Sequence, residues 1–422
     1  MKFRKNLFKK INIIIENGST TLCPKNTKEV SIVLKICHIN NIEVIPIGGN
    51  TNRVLGTYQK DKKKSVFLSL RNLNKIIKLD TENLVMEVEA GATLAKVQKK
   101  ALNKNLLFPV HVASHKECNI GGNISTNVGG LQVLRYGNIE NNINGLEYVL
   151  PDGTIINQLS FLKKDNFGPK IWRVLCGSEG TYGVITKASL KLIPKKLNNH
   201  TFLIEIQSLN KIFKLFKQLR EKFFDELTSF EVIFPKPINL ITNVNEKNFN
   251  IIIEFQTNNN HSYKINFKNF KILKFEKNSI NSKIWPIRKL IITQQDSLLF
   301  KYKYDISLPI NNWSLFLKKM ELFHKNNKDY DPYYFGHLGD GNLHCNYKIN
   351  DPNKQKIKNL EEQIYKIVLN LKGSLAAEHG LGYRKNYLVK KYKTKEIYTL
   401  LNNFKEFFDK KKLLNRDKLI KS

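Results

Sequence analysis

The chain has 422 residues, longer than a single hydrophobic core usually grows, so two or more domains are expected. With 41% hydrophobic and 25% charged residues, its composition is that of an ordinary globular protein. The formal net charge of +34 suggests a polyanion partner, but lysine, asparagine and isoleucine are over-used together and no zinc-finger spacing or RNA-reading strand is present, which argues against specific nucleic-acid binding.

Cysteine usage and the N-terminus bear on location. The cysteines are scattered and form no C-x-x-C pair, which is typical of thiols in a reducing cytosol. The apolar run at residues 13–15 is too short for a signal peptide or a membrane span, and no later stretch is long enough. We therefore expect a cytoplasmic protein.

The N-terminal part alternates helix and strand signals. Apolar spacing predicts an amphipathic helix over 28–41, followed by a strand over 42–47 and the loop "GGNTNRVLG". Strands are predicted in "SVFLSL", "LVMEVEAG" and "GLEYVLPDGT", and a helix in "ATLAKVQKKALNKN". A glycine loop feeding a strand, "VLCGSEGTYGVITKASLKLIP", closes this part.

The second half predicts an α+β layer. Strands in "TFLIEIQ" and "NIIIEFQ" flank a helix in "LNKIFKLFKQLREKFF", and the region 200–280 carries no motif that we can interpret. A helix in "WPIRKLIITQQ", a strand in "KYKYDISLP" and a helix near 311–326 follow. The end of the chain is predicted to be helical over 358–373, over 374–389 and in a lysine-rich segment beyond.

The stretch "FGHLGDGNLHCNY", residues 335–347, predicts a β-hairpin with a two-residue turn at 340–341. That register makes His337 and His344 direct cross-strand partners, with Cβ atoms about 5 Å apart, close enough to share one metal ion. Asn346 lies on the same face. The alternative is a solvated hairpin with two unliganded histidines, and a metal site needs a third ligand.

Two glycine clusters, "PIGGNTN" (46–52) and "NIGGNISTNVGG" (119–130), lie among strand-forming residues. Their glycines permit close backbone approach, and successive exposed N–H groups form a nest suited to a pyrophosphate. Neither cluster is a Rossmann G-x-G-x-x-G motif. A single cluster is most often a turn, but two of them together with "CGSEGTYG" (176–183) favour a dinucleotide held by several loops.

The order of these motifs resembles one enzyme family. "PIGGNTN", "IGGNISTNVGGLQVLRYGN", "GLEYVLPDGT", "GSEGTYGVIT", "KYDISLP", "GHLGDGNLH" and "AAEHGLG" make the chain similar to the FAD-dependent D-2-hydroxyacid dehydrogenases. The likeness is closest to D-2-hydroxyglutarate dehydrogenase, with the D-lactate and glycolate dehydrogenases as sister groups. It covers nearly the whole chain and is weak in 198–280.

This resemblance implies an α+β fold of the vanillyl-alcohol-oxidase superfamily. A two-subdomain FAD-binding domain is expected over 1–195 and an α+β substrate (cap) domain over 196–375. A C-terminal segment, 376–422, is expected to complete the site and pack on the FAD domain.

The resemblance assigns the glycine clusters to FAD. Some members of the superfamily tether the flavin through a histidine in the first loop, and "GGNTN" has none, so noncovalent FAD is expected. The residues assigned to the cofactor are Pro46, Gly48, Gly49, Asn50, Thr51, Asn52, Gly121, Gly122, Asn123, Ser125, Thr126, Gly129, Gly130, Glu179, Gly180, Gly183 and Ile185.

A metal site is also implied by the resemblance. His337, His344 and Glu378 would hold a divalent ion, zinc or manganese, and His379 would be the catalytic base. A His₂Glu set with an open position is typical of catalytic rather than structural sites. Taken alone, Glu378 and His379 would be read as a charge pair at a helix end.

Substrate contacts are implied for Arg288, Lys303 and Asn346. Relatives carry a threonine four residues after the arginine, whereas this chain has Ile292, with Thr293 adjacent. The loss of that hydroxyl places selectivity for a dicarboxylate in question. Two further departures, "FGPK" after "KDN" and the charged "HVASHKE" before the second glycine cluster, lie near the expected flavin pocket.

The expected reaction is oxidation of a D-2-hydroxyacid to the 2-oxoacid. A metal lowers the pKa of the 2-hydroxyl, a base takes its proton, and the Cα hydride passes to flavin N5. D-2-hydroxyglutarate is favoured, with D-lactate or glycolate as alternatives, and a quinone or an electron-transfer flavoprotein is expected as electron acceptor. Peripheral contact with a membrane is left open. An alternative of another class is a flavin-binding electron-transfer subunit without independent turnover.

Overall fold

The computed structural model describes residues 7–8, 11–16, 18–242, 246–259, 263, 267–279, 282–298, 300 and 302–421. The chain divides into two compact units. Unit 1 comprises residues 1–130, 137–195 and 378–422, and unit 2 comprises residues 131–136 and 196–377.

Strands and helices follow one another along both units. The strands are β1 (Asn12–Glu16), β2 (Ser19–Cys23), β3 (Glu43–Ile47), β4 (Ser65–Ser69), β5 (Ile76–Asp80), β6 (Val85–Glu89), β7 (Leu106–Leu107), β8 (Ile143–Val149), β9 (Ile155–Asn157), β10 (Val184–Lys191), β11 (Ile193–Pro194), β12 (Asn198–Ile206), β13 (Leu227–Ile233), β14 (Phe249–Thr257), β15 (Lys271–Lys277), β16 (Tyr302–Ser307), β17 (Tyr330–His337) and β18 (Asn342–Ile349). The helices are α1 (Thr27–Ile39), α2 (Leu94–Leu102), α3 (Ile120–Ser125), α4 (Val133–Tyr136), α5 (Leu209–Lys222), α6 (Pro235–Thr242), α7 (Trp285–Ser297), α8 (Trp313–Asn326), α9 (Lys354–Asn370), α10 (Tyr387–Tyr392) and α11 (Lys395–Phe408). Short 3₁₀ turns cover Ile139–Asn142, Ile171–Leu175 and Ile310–Asn312.

Unit 1 contains a four-stranded sheet in the order β1-β2-β4-β3 and a five-stranded sheet in the order β5-β6-β10-β8-β9. Strand β4 pairs in parallel with β2 and β3, and helix α1 connects the latter two. Asn26 caps α1 by accepting from the N–H of Glu29, and Val30, Val33 and Leu34 of the predicted apolar stripe are buried, whereas Ile39 at its end is exposed. The loops that follow β3 and precede β10 carry two of the glycine clusters.

Unit 2 is built on a seven-stranded antiparallel sheet in the order β15-β12-β14-β13-β17-β18-β16. Helix α7 packs on one face, where Ile284 and Ile291 join Ile233, Ile252 and Phe335 in an apolar cluster. This face also carries the polar side chains of the β17–β18 hairpin, because residues two apart in a strand point to the same side.

One helix prediction was wrong. The stretch predicted as a helix over 374–389 is largely irregular, and helix α10 covers only Tyr387–Tyr392. Gly380 and Gly382 have φ values of +71° and +53°, which interrupt a right-handed helix. The strand prediction in "KYKYDISLP" begins at Lys301, which lies outside the described residues; the strand is described from Tyr302.

Two further observations concern cysteines and membranes. All five cysteines are thiols. In the part of the chain that the structure describes, no helix is both long enough and apolar enough to cross a membrane.

Candidate active site

Candidate residues lie in both units, and in unit 1 they begin with the loop after β3. Residues 48–51 are exposed, and the backbone N–H groups of residues 48–52 make no hydrogen bond within the described part of the chain. Asn52 Oδ1 accepts from the N–H of Val54 at 2.9 Å, and Asn50 Oδ1 accepts from Thr57 Oγ1 at 2.7 Å. The loop is therefore braced by its own side chains while its amides remain available to an anion.

The second glycine loop continues into helix α3. Asn119 caps this helix by accepting from the N–H of Gly122 at 2.9 Å, while the N–H groups of Ile120 and Gly121 donate to Ala92 and Ala90. The first amides of α3 are thus satisfied within the protein. A Cβ added to Gly122 would lie 2.9 Å from Asn119 Oδ1 and 3.9 Å from the Cα of Gly48, so the first and second loops converge.

Several assigned glycines are required by packing within unit 1. A Cβ at Gly49 would lie 2.0 Å from the carbonyl oxygen of Glu117, and a Cβ at Gly130 would lie 2.0 Å from that of His111. Around the same loop, Thr126 Oγ1 donates to the carbonyl of Gly122 at 3.0 Å. These glycines set the shape of the loops, and the exposed amides of the first loop supply the donors.

Glu179 connects the third loop to the C-terminal segment. It is buried, has φ +53°, and its carboxylate oxygens accept from the N–H groups of Leu381 and Gly382, each at 2.7 Å. Burial raises the pKa of Glu179, although these two hydrogen bonds oppose the shift. The segment fixed in this way follows directly on His379.

The same segment packs on the first loop. Arg384 donates its N–H to the carbonyl of Val54 at 3.1 Å, and a Cβ at Gly382 would lie 2.2 Å from that oxygen. The rings of Tyr58 and Tyr383 stack with centroids 4.3 Å apart. Unit 1 therefore brings its three glycine loops and the segment after His379 together, while the assigned roles of these residues stay predictions.

In unit 2 the hairpin is present, but its predicted register was wrong. His337 pairs with Asn342, and His344 pairs with Phe335, so the two histidines are diagonal rather than direct partners. The turn has four residues, 338–341, because Leu338 is buried and its carbonyl accepts from the N–H of Gly341 at 3.2 Å. Both histidines still share one face: their ring centroids lie 5.5 Å apart, and one ligand nitrogen of each lies within 4.8 Å of the other.

Glu231 braces His337. This carboxylate lies in β13 opposite His337, accepts from the histidine Nδ1 and also accepts from Arg288 Nε at 3.1 Å. Burial by itself raises the pKa of Glu231, but the charges of His337 and Arg288 outweigh it and hold the pKa below its ordinary value. Since an ionised carboxylate can only accept, Glu231 holds a proton on His337 Nδ1, and in the neutral form of the ring the lone pair is then on Nε2.

The second histidine has a carboxylate neighbour as well. His344 Nδ1 lies 3.6 Å from Asp305 Oδ1, and Asp305 is its partner across β16 and β18. Asn342 Nδ2 donates to the same Asp305 oxygen at 2.8 Å and to the carbonyl of Ile306 at 2.9 Å. The two hairpin histidines are thus each accompanied by a buried carboxylate from a neighbouring strand.

The predicted substrate residues lie on this face. Arg288 is buried on α7, with its guanidinium 4.2 Å from the ring centroid of Phe335. Asn346 Nδ2 donates to Gln295 Oε1 at 2.5 Å, and Asn346 pairs with Lys303 across β18 and β16. Lys303 forms an ion pair with Asp296 and is only partly buried. We refer to the residues that share this buried face as the polar cluster: Glu231, Arg288, Gln295, Asp305, His337, Asn342, His344 and Asn346.

Three polar atoms of this cluster have no hydrogen-bond partner among the described residues: Arg288 Nη1, Gln295 Nε2 and Asn342 Oδ1. A buried polar atom left in this way costs about 1–3 kcal/mol. Two of these atoms are donors that suit an anion, and the third is an acceptor that suits a hydroxyl group. Glu378, the predicted third metal ligand, belongs to unit 1. It directly follows Ala377, the last residue of unit 2.

Sequence reasoning missed four members of the polar cluster: Glu231, Gln295, Asp305 and Asn342. The sequence does carry an indication for Glu231: it is a single carboxylate in the apolar strand "LTSFEVI", and a buried carboxylate needs a hydrogen-bonding or charged partner. Gln295 lies seven residues after Arg288, on the same buried stripe of α7. Asp305 lies within the motif "KYDISLP", but its position beside His344 depends on the pairing of β16 with β18.

Comparisons with known proteins define the class. A model of an FAD binding domain matches residues 19–158, and a model of the C-terminal domain of FAD linked oxidases matches residues 208–419. The solved structure of alkyldihydroxyacetonephosphate synthase is similar, with a TM-score of 0.71 at 18% identity over 94% of this chain and 75% of that one. p-Cresol methylhydroxylase gives a TM-score of 0.70 at 16% identity over 100% and 93%. The predicted vanillyl-alcohol-oxidase fold is confirmed, and the protein is an FAD-dependent oxidoreductase.

Curated relatives define the family. A D-2-hydroxyglutarate dehydrogenase of Danio rerio is 32% identical over 94% of this chain and 78% of its own length. One from Arabidopsis thaliana is 30% identical over 94% and 74%, and a D-2-hydroxyglutarate–pyruvate transhydrogenase of Saccharomyces cerevisiae is 29% identical over 94% and 86%. The chain belongs to the family of FAD-linked oxidases that contains these D-2-hydroxyglutarate dehydrogenases, which confirms the predicted family.

Proposed function

We propose that the protein oxidises a D-2-hydroxyacid, with D-2-hydroxyglutarate as the favoured substrate, to the corresponding 2-oxoacid. The observation that carries this proposal is the polar cluster of unit 2, in which two carboxylate-accompanied histidines share a buried face with Arg288. An anionic, hydroxylated substrate matches that chemistry. The names of the relatives support the choice of D-2-hydroxyglutarate.

FAD is held noncovalently in this proposal. The amides of residues 48–52, which make no hydrogen bond among the described residues, would bind its pyrophosphate, and the second and third glycine loops, 121–130 and 179–185, would line the rest of the cofactor. The donor set fits, because these amides have no competing acceptor within the described residues. When bound, FAD supplies the hydride acceptor, N5 of its isoalloxazine ring.

A divalent ion, zinc or manganese, would be held by His337, His344 and Glu378. The donor set fits a catalytic ion, because Glu231 directs the lone pair of His337 to Nε2. When bound, such an ion supplies positive charge that lowers the pKa of the substrate 2-hydroxyl. His379 would accept the hydroxyl proton as general base.

Substrate carboxylates would be bound by Arg288, Asn346 and Lys303. Arg288 is the strongest of these candidates, because it is buried and one of its guanidinium nitrogens has no partner among the described residues. Lys303 contributes less, since Asp296 already neutralises it. Ile292 packs against the apolar cluster beneath α7, so it does not replace the threonine hydroxyl of the relatives, and D-lactate is therefore the second candidate substrate.

The electron acceptor and the location are also proposals. A quinone or an electron-transfer flavoprotein would reoxidise the flavin, in the cytoplasm or in peripheral contact with a membrane. Relatives from zebrafish and Arabidopsis carry the word mitochondrial in their names. Monitoring flavin reoxidation with each acceptor class under anaerobic conditions would identify the partner.

An anaerobic substrate screen tests the proposed function. The purified FAD-loaded protein is mixed with D-2-hydroxyglutarate, D-lactate or glycolate, and flavin absorbance is followed; loss of the oxidised spectrum with D-2-hydroxyglutarate, and not with its L enantiomer, is expected. If no hydroxyacid reduces the flavin, the proposed function is wrong and the flavin-binding electron-transfer subunit is favoured.

A further inference from the structure

Two buried N–H donors on helix α7 have no acceptor among the described residues. Arg288 and Gln295 lie with Ile291 on the buried stripe of the helix, and Arg288 Nη1 and Gln295 Nε2 are the unpartnered atoms. Arg288 is already assigned to the substrate. Gln295 is fully buried and has no role in the site described so far.

Gln295 lies at a different position along the sheet from Arg288. Seven residues of helix separate their Cα atoms by about 10 Å. Arg288 covers Phe335, the strand partner of His344, whereas Gln295 accepts from Asn346, one side-chain repeat further along β18. The two donors therefore lie at two regions of the same face: Arg288 lies beside the histidines, and Gln295 lies beyond them, next to Asn346.

Other donors near the second region are already engaged or point elsewhere. Lys303, the strand partner of Asn346, is ion-paired with Asp296. Ile292 packs in an apolar cluster, and Thr293 is exposed. The Gln295 amide is consequently a buried neutral donor of this region, and its Nε2 has no acceptor among the described residues.

We propose that Gln295 is a specificity-determining residue that donates from Nε2 to the carboxylate remote from the 2-hydroxyl of a dicarboxylic D-2-hydroxyacid. The proposal rests on the proposed function, because it concerns which substrate that site prefers. A one-carboxylate substrate such as D-lactate does not reach this donor.

The effect follows from the hydrogen bond that would be lost. A hydrogen bond to a charged group accounts for about 10- to 100-fold in kcat/KM. Replacing Gln295 with leucine removes the Nε2 donor at similar volume, and it also removes the Oε1 that accepts from Asn346. Replacing it with glutamate keeps an oxygen that can accept from Asn346 but opposes the substrate carboxylate with a negative charge.

The experiment compares Gln295→Leu and Gln295→Glu with the natural protein, using kcat/KM and anaerobic flavin reduction for D-2-hydroxyglutarate and D-lactate. We expect about 10- to 100-fold loss with D-2-hydroxyglutarate for Gln295→Leu, a larger loss for Gln295→Glu, and a smaller loss with D-lactate than with D-2-hydroxyglutarate for both variants. Gln294→Leu, the same change at the half-buried neighbour on α7, is the matched control and should keep the natural substrate preference.

Two results would overturn the proposal in distinguishable ways. If the natural protein is reduced by D-2-hydroxyglutarate and both Gln295 variants retain its substrate preference, or lose both substrates equally, Gln295 does not read the remote carboxylate. If no D-2-hydroxyacid reduces the natural protein, the proposed function itself fails, and the assignment of Gln295 fails with it.

Discussion

The glycine loops of unit 1 and the polar cluster of unit 2 are built in opposite ways. In unit 1 the donors are backbone amides, positioned by short stretches of neighbouring residues and by glycines that allow close packing. In unit 2 the functional atoms belong to side chains, and their partners are distant in sequence: Glu231 and His337 are separated by 106 positions, and Glu231 and Arg288 by 57.

The difference determines how each region responds to substitution. A backbone-built site fails when a side chain fills it, while the removal of a neighbouring side chain leaves its amides in place. A side-chain-built site fails when one member of a hydrogen-bonded group is removed, because the remaining buried partners lose their compensation. Cofactor binding and substrate chemistry should therefore be separable by mutation.

The largest effect is expected in the polar cluster. His344→Ala should lower the rate of flavin reduction by at least about 100-fold and remove bound metal while leaving FAD content unchanged, because the glycine loops belong to unit 1. Metal analysis beside anaerobic reduction measures both. His324→Ala, a histidine of unit 2 outside the polar cluster, is the control and should keep metal and reduction. A His344→Ala protein with the natural metal content and the natural rate of flavin reduction would show that the hairpin has a purely structural role.

The converse substitution lies in unit 1. Gly122→Leu should lose most of its FAD, because the added side chain would enter the space where the first and second loops converge. Metal bound by His337, His344 and Glu378 should be retained. Gly122→Ala should show a smaller loss, since its Cβ would meet only the end of the Asn119 side chain. Flavin absorbance per protein measures the series, and full flavin content in the leucine variant would exclude this loop from the cofactor site.

The contrast also explains what the sequence alone could reveal. The glycine loops are contiguous stretches, so their residues could be identified one after another from the chain. The histidines and Asn346 were found because they share one hairpin. Glu231 was missed because its role depends on β13 lying beside β17, and no local pattern encodes that sheet order.

The hairpin register shows a second limit. An Asp-Gly pair favours a two-residue turn, and it predicted His337 opposite His344. The buried Leu338 lies inside the turn instead, and Trp313 Nε1 donates to the carbonyl of Gly341 at 3.2 Å. Tertiary packing therefore favours a longer turn. The strand register is shifted by two residues from the predicted one, and an even shift keeps the histidines on the same face.

Glu231 provides a sharper test of the side-chain network. Glu231→Gln keeps the shape but removes the charge that orients His337, and loss of such a partner typically lowers metal affinity by about 10- to 100-fold. We expect that weakening in metal titrations, with partial loss of activity that added metal restores. Glu205→Gln, the same change at a carboxylate of β12 paired with Lys271, should leave metal affinity unchanged. Equal affinity in both variants would remove Glu231 from the metal site.

Lys303 should have a smaller effect. Its ammonium is paired with Asp296 and partly exposed, so Lys303→Met removes a charge that solvent and Asp296 already compensate. We expect a loss of only a few-fold in kcat/KM for D-2-hydroxyglutarate and none for D-lactate, which has no second carboxylate. Steady-state kinetics with both substrates measures this. Equal losses for the two substrates would assign the lysine to their shared carboxylate.

The smallest effect concerns His324, a half-buried histidine of unit 2 outside the polar cluster. Burial, assisted by the charge of Lys236, lowers the pKa of His324 from 6.5 to about 4, and its Nε2 has no partner among the described residues. Because the folded state binds this proton less readily than the unfolded state, the stabilising contribution is complete above pH 6.5 and is lost as the pH falls toward 4. Thermal melts of the natural protein and of His324→Phe between these pH values should show a weaker pH dependence for the variant. Identical slopes would mean that the pKa of His324 is not lowered in the folded protein.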